Sequence, residues 1–205
     1  MGIWGEAQSM TSDEQNTAFQ GQFLVSMPDL QDGVFDSSVV LICEHGDTGA
    51  MGFIVNKATE FSVQEIFEQL GLEVATALDP EIPVMTGGPV EPQRGFLLTN
   101  APLSDDAVEV LDGLYLASSP DVLPLSVDAL NQGDAIFVLG YSGWSEGQLE
   151  QEMQANAWLN VPWDADVIFR FQPQTDNAQP WHSLGLTPFN CLKEWATPDA
   201  IGTCL

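Results

Sequence analysis

Cys43, Glu44 and His45 place a thiol, a carboxylate and an imidazole side by side. Alternation along a strand puts Cys43 and His45 on one face and Glu44 on the other. A Cys–His pair within hydrogen-bond reach could form an activated nucleophile. The plainer account, and the preferred one, is a buried structural thiol beside a loop histidine.

Three further stretches could hold a ligand. Gly46 to Gly52, with Gly49 and Gly52, could line an anion site with backbone amides. It has neither the lysine of a phosphate-binding loop nor GxGxxG spacing, so a tight hairpin loop is preferred. Gly87-Gly88-Pro89 precedes Arg94-Gly95-Phe96, and Arg94 is one of four cations in the chain. An arginine beside a glycine turn can anchor a carboxylate or phosphate. Among so many acids it is first an ion-pair partner. Tyr141 and Trp144 lead from an apolar run into Ser145-Glu146-Gly147-Gln148, which has capping-box spacing. The helix opening there could accept an anion, with Gln148 in its first turn. Glu146, Glu150 and Glu152 read as a solvated acidic face, and Trp144 and Trp158 as packing aromatics. No CxxC, GxSxG or HExxH is present. No metal site or cofactor is expected.

The elements that position these residues follow from pattern. Apolar, β-branched runs predict strands at 23–27, 38–43, 50–56, 95–99, 113–117, 134–141 and 166–171. The loop 45–49 joins two of them as a hairpin. Ser62 and Glu65 form a capping box before Val63, Ile66, Phe67 and Leu70, and Gly71 closes that helix. A second helix is expected from Ser145 to about Leu159. Ser119-Pro120 could start a third, which Pro124 breaks. The tail from Gln172 is proline-rich, with helices possible near 181–185 and 190–195. Neighbouring strands without strict βαβ alternation give an α+β class with a mainly antiparallel sheet. Residues 1–20 read as an acidic arm and 21–205 as a single domain.

Charge narrows the partners. The chain has 205 residues, with 30 Asp plus Glu against 4 Lys plus Arg, for a formal charge of −26. Lys57, Arg94, Arg170 and Lys193 are too few to neutralise phosphates, so direct nucleic-acid binding is not expected. Anionic membrane surfaces are excluded for the same reason. No stretch approaches the ~20 apolar residues of a membrane helix. The amino-terminal residues lack a basic and an apolar region, so no signal peptide is expected and the cytoplasm is the default. Such acidity suggests a source with high internal salt.

The chain resembles the YqgE/AlgH family of small bacterial proteins. Phe23 to Asp32, Cys43-Glu44-His45, Gly49 to Gly52 and Asn56-Lys57 carry the resemblance. It continues through Gly87 to Val90, Arg94-Gly95-Phe96, Leu139 to Tyr141, Gly143-Trp144, Gly147 to Glu150 and Asn156 to Leu159, and spans roughly 21–188. The resemblance implies one α+β domain and brings no established catalytic residues. It also brings a transcriptional-regulator label, from one member linked to control of alginate production. Thr99 stands where relatives often have histidine, which weakens a catalytic pairing with His45.

Three functions follow, in order of preference. The first is a non-enzymatic module binding a protein or small-molecule partner. The second is a hydrolase or transferase using His45 with Glu44 or Cys43 and Arg94 as anion anchor. The third is a transcriptional regulator, disfavoured as a direct DNA binder by charge.

Overall fold

The computed structural model describes residues 19–169 apart from 29, 31, 32, 74, 75 and 106. Most of the expected arm, Arg170, Lys193, Cys191, Cys204 and the tail helices lie outside the described residues.

Ten strands form one curled sheet. They are β1 (Gln22–Ser26), β2 (Val39–Gly46), β3 (Gly49–Ile54), β4 (Ala58–Ser62), β5 (Pro83–Thr86), β6 (Val90–Thr99), β7 (Val108–Leu111), β8 (Leu114–Ala117), β9 (Ala135–Ser145) and β10 (Trp158–Pro162). The main path runs β10-β1-β2-β3-β9-β6-β8-β7, with β4 on β5 and β5 on β9. Among the described residues every pairing is antiparallel except β5 with β9. The helices are α1 (Val63–Gln69), α2 (Val127–Gln132), α3 (Gln148–Gln154) and α4 (Ala165–Phe169), with a 3-10 turn at Pro120–Leu125. This is the expected mainly antiparallel α+β arrangement.

The sheet bends until its ends approach. Gln20 Nε2 donates to Val110 O at 3.4 Å, and a Cβ on Gly21 would lie 3.4 Å from Leu111 Cδ2. The central apolar cluster fills the inside of this curl, with Phe23, Leu41, Phe53, Phe96, Leu98, Leu114 and Val138 fully or almost fully buried. A second cluster lies on the far side of β6 and β9, under α1, α2 and the 3-10 turn. A third joins β1, β2, β3, β9 and β10 to Leu149 of α3. Alternation along β2 sends Val39 and Leu41 to the inner cluster and Val40 and Ile42 to the third.

Several local expectations need correction. The expected loop 45–49 is mostly strand, because Gly46 pairs with Gly49 and only Asp47 and Thr48 turn the chain. The second helix ends at Gln154, not near 159. Asn156 takes a positive φ of 55°, and Trp158 onward forms β10 against β1. That helix is also opened by Gly147 rather than by a Ser145 cap, since Ser145 still belongs to β9. The expected strand 166–171 is helical where described, as α4. Short apolar runs do not distinguish strand from buried helix by period, and here tertiary packing decided. The capping box at Ser62 and Glu65 forms as expected.

Candidate functional site

The reactive trio sits at a fault in β2. Ile42 pairs with Gly52 and Glu44 with Met51, so Cys43 is an extra residue without a partner in the ladder. A bulge of this kind resets alternation. Cys43 belongs to the inner cluster, and Glu44 is exposed opposite Met51, which packs against that cluster. His45 pairs with Ala50, a member of the third cluster. The expectation that Cys43 and His45 share a face is therefore wrong: the inserted residue turns them to opposite faces. Burial also pushes the Cys43 thiol up to about 12, so it stays protonated and poorly nucleophilic.

His45 instead meets α3. Its Nε2 lies 2.8 Å from Glu150 Oε1, and Phe19 packs edge-on at 5.2 Å between centroids. Two residues along, Glu152 gathers three donors. Trp144 Nε1 donates to its Oε2 at 2.9 Å and Trp158 Nε1 at 2.8 Å, while Gln148 Nε2 donates to its Oε1 at 2.9 Å. Gln148 Oε1 in turn accepts from the Ser145 amide at 3.0 Å. Phe35 stands against both indoles. Glu150 and Glu152 are thus not a solvated acidic face. The i, i+4 spacing of Gln148 and Glu152 was a readable signal. The tryptophan contacts were not, because they depend on how β9 and β10 pack against α3. Chemically, these carboxylates order a histidine and two indoles. Three candidates, His45, Trp144 and Gln148, meet here.

The glycines of the β2–β3 hairpin have a packing reason. A Cβ on Gly49, at φ +126°, would lie 2.1 Å from Trp144 O, and one on Gly52 would lie 2.4 Å from Leu41 O. Gly87 likewise serves the sheet. Its carbonyl accepts from the Ile54 amide at 2.8 Å and from Ser142 Oγ at 3.0 Å.

Arg94 lies on the other side of the sheet from His45. Its guanidinium carbon is 5.0 Å from the centroid of Phe96, and Phe96 is 6.1 Å from Tyr141. Both rings belong to or pack against the inner cluster with Cys43. Arg94 Nη1 donates to Glu91 Oε2 at 3.0 Å. Glu91, Pro92, Gln93 and Arg94 line an open groove of about 450 Å³. Arg94 and Tyr141 thus share the inner side, apart from His45, Trp144 and Gln148. Thr99 is buried, and its Oγ1 donates to Ala101 O at 2.7 Å.

Among the described residues no group of three or more His, Cys, Asp or Glu could hold a metal ion, and no helix is long and apolar enough to cross a membrane.

Comparison with known proteins agrees with the fold. A family model described as AlgH-like matches residues 23–187. A UPF0301 protein of Bordetella petrii is 38% identical over 184 residues, covering 89% of this chain and 91% of the relative. One of Pseudomonas putida is 42% identical over 149 residues, covering 72% of this chain and 79% of the relative. The solution structure of the AlgH protein from Pseudomonas aeruginosa is 32% identical, with a TM-score of 0.63 over 85% of this chain and 93% of that one. A crystal structure from Corynebacterium diphtheriae, 20% identical, shares the fold with a TM-score of 0.57 over 85% of this chain and 99% of that one. A match of this length, together with the shared curled sheet, makes the chain a member of the AlgH-like, or YqgE/AlgH, family.

Proposed function

We propose that this chain is a non-enzymatic binding or regulatory module of the bacterial cytoplasm. The dispersal of its reactive groups carries the reading. Nucleophile, base and anion anchor must converge for catalysis. Here Cys43 is buried in the inner cluster, His45 is held by Glu150 on the opposite face, and Arg94 lies on the Cys43 side. The free thiol of Cys43 fits a reducing compartment. Direct DNA binding stays disfavoured, since Lys57 and Arg94 are the lysine and arginine among the described residues and Lys57 Nζ donates to Val34 O.

The test pairs turnover with binding. In molar KCl the full chain should not hydrolyse nitrophenyl acetate or nitrophenyl phosphate above the blank. Turnover lost in a folded His45→Gln or Arg94→Gln variant would reverse the reading in favour of the enzyme. Thermal shift against nucleotides, organic acids, phosphates and divalent metals should single out one class. A ligand at a hundredfold its Kd adds about 2.7 kcal/mol. A gel shift with duplex DNA at micromolar protein should show no complex.

A further inference from the structure

We infer that the segment Glu91–Arg94 of β6 is an oxyanion-binding subsite for a small carboxylate- or phosphate-bearing molecule, anchored by the Arg94 guanidinium. The inference rests on the binding-module reading and names the ligand class it would serve.

The first observation is how this segment is built. β6 pairs with β9 at Val90↔Tyr141 and again at Gly95↔Leu139. Four residues of β6 therefore leave the ladder where β9 has Gly140 alone. All four are exposed, and Glu91 holds a positive φ of 47°, a strained conformation for a side-chain-bearing residue. The ground beneath them excludes side chains. A Cβ on Gly88 would lie 2.4 Å from the Tyr141 backbone, and one on Gly140 would lie 2.6 Å from Gly88 O and 3.1 Å from Pro92 Cα. A Cβ on Gly95 would lie 2.6 Å from the Phe137 ring. The fold keeps glycine at these positions and seats a strained, projecting bulge on them. None of the four bulge residues belongs to an apolar cluster. Bulges that re-aim side chains, and strain without a packing return, are concentrated at functional sites.

The second observation is what the bulge presents. The Arg94 guanidinium lies over the buried Phe96 ring, with its carbon 5.0 Å from the centroid. A planar guanidinium offers five donors in a fork matched to carboxylate and phosphate. Glu91 accepts from Nη1, so an oxyanion of this protein already sits in the seat that a ligand oxyanion would take. Both side chains of that pair are half exposed, so exchange with solute is open. Gln93, on the same bulge, adds a carboxamide, and the four residues border a groove that is open to solvent. The formal charge of −26 opposes an approaching anion at low salt. Screening at about 0.5 M KCl removes most of that opposition while leaving contact pairs in place.

The test is a titration of the ¹⁵N-labelled full chain with pyrophosphate and, separately, with citrate, at about 0.5 M KCl. Amide shifts should saturate and map to residues 88–96 and 138–141. Arg94→Gln should weaken the fitted affinity by at least about tenfold. Glu91→Gln, which removes the internal competitor, should tighten it several-fold. A response to pyrophosphate alone would assign the subsite to phosphates, and one to citrate alone to carboxylates. The absence of saturable shifts with either probe would overturn the proposal, as would shifts that survive Arg94→Gln. A phosphorus spectrum recorded on the same samples separates the two readings. Breakdown of pyrophosphate would end the non-enzymatic reading, whereas intact probe without binding would end only the subsite.

Discussion

Glu152 shows how much a single carboxylate can organise. Two indole N–H groups and an amide converge on it, and both indoles are almost fully buried. Leaving a buried donor unpaired costs about 1–3 kcal/mol. Glu152→Ala should therefore destabilise the protein by roughly 2–5 kcal/mol, and Glu152→Gln by less, since its carbonyl oxygen still accepts. Urea unfolding followed by tryptophan fluorescence measures both. Cys43 gives a prediction of a different kind. The unfolded thiol titrates near 9.0, whereas the folded one holds its proton to about 12. Above pH 9 the unfolded state binds fewer protons, so stability should be fully present below that pH and decline towards pH 12. Cys43→Ala should flatten this decline, read as melting temperature against pH relative to the parent. Iodoacetamide mapped by mass spectrometry should leave Cys43 unmodified in the native state.

At the scale of elements, the β2–β3 hairpin is a test of close strand packing. Gly49 combines φ +126° with a backbone oxygen 2.1 Å from where a Cβ would sit, whereas Gly113 has φ +72° and open space around it. Gly49→Ala should lower the urea midpoint well beyond the loss from Gly113→Ala, which carries only the conformational penalty of about 1 kcal/mol. Equal losses would show that the hairpin tolerates the extra carbon. Where the sequence was legible, the reason is local. The run at 134–141 is apolar on both faces because helices cover one side and the curled interior the other, and Ser62 with Glu65 caps α1 through neighbours three residues apart. Where it was not, the cause lies elsewhere in the chain. Nothing near Cys43 signals the bulge, because the register is set by β3. Trp158 and Leu159 look like the end of a helix until β1 is there to pair with them. The candidate residues were legible as types, but their grouping was not. His45 and Arg94 were separated by a one-residue register shift and the curl of the sheet. Glu150 and Glu152 were missed because charge alone suggested solvent.

At the scale of the whole molecule, charge dominates. With −26 formal charges on 205 residues, self-repulsion works against the compact state and is relieved by salt. The melting temperature should rise steadily from dilute buffer to about 2 M KCl, over a range in which screening shortens from tens of ångströms to a few. A flat profile would count against salt adaptation. Calorimetry at several KCl concentrations makes the measurement, and the same series shows whether the three apolar clusters, which all take residues from β9, melt as one unit.

The pairing of β1 with β10 carries a consequence for biosynthesis. Gln22 faces Pro162 across that ladder, so β1 leaves the ribosome well before β10 and must wait for it before its outer edge is closed. Until then the edge of β1, with Phe23, Leu24 and Val25 beside it, is open to other nascent chains. Long-range closure of this kind folds slowly. In dilute salt the self-repulsion that weakens the finished fold also holds unfinished copies apart while they wait, and concentrated salt removes both effects together.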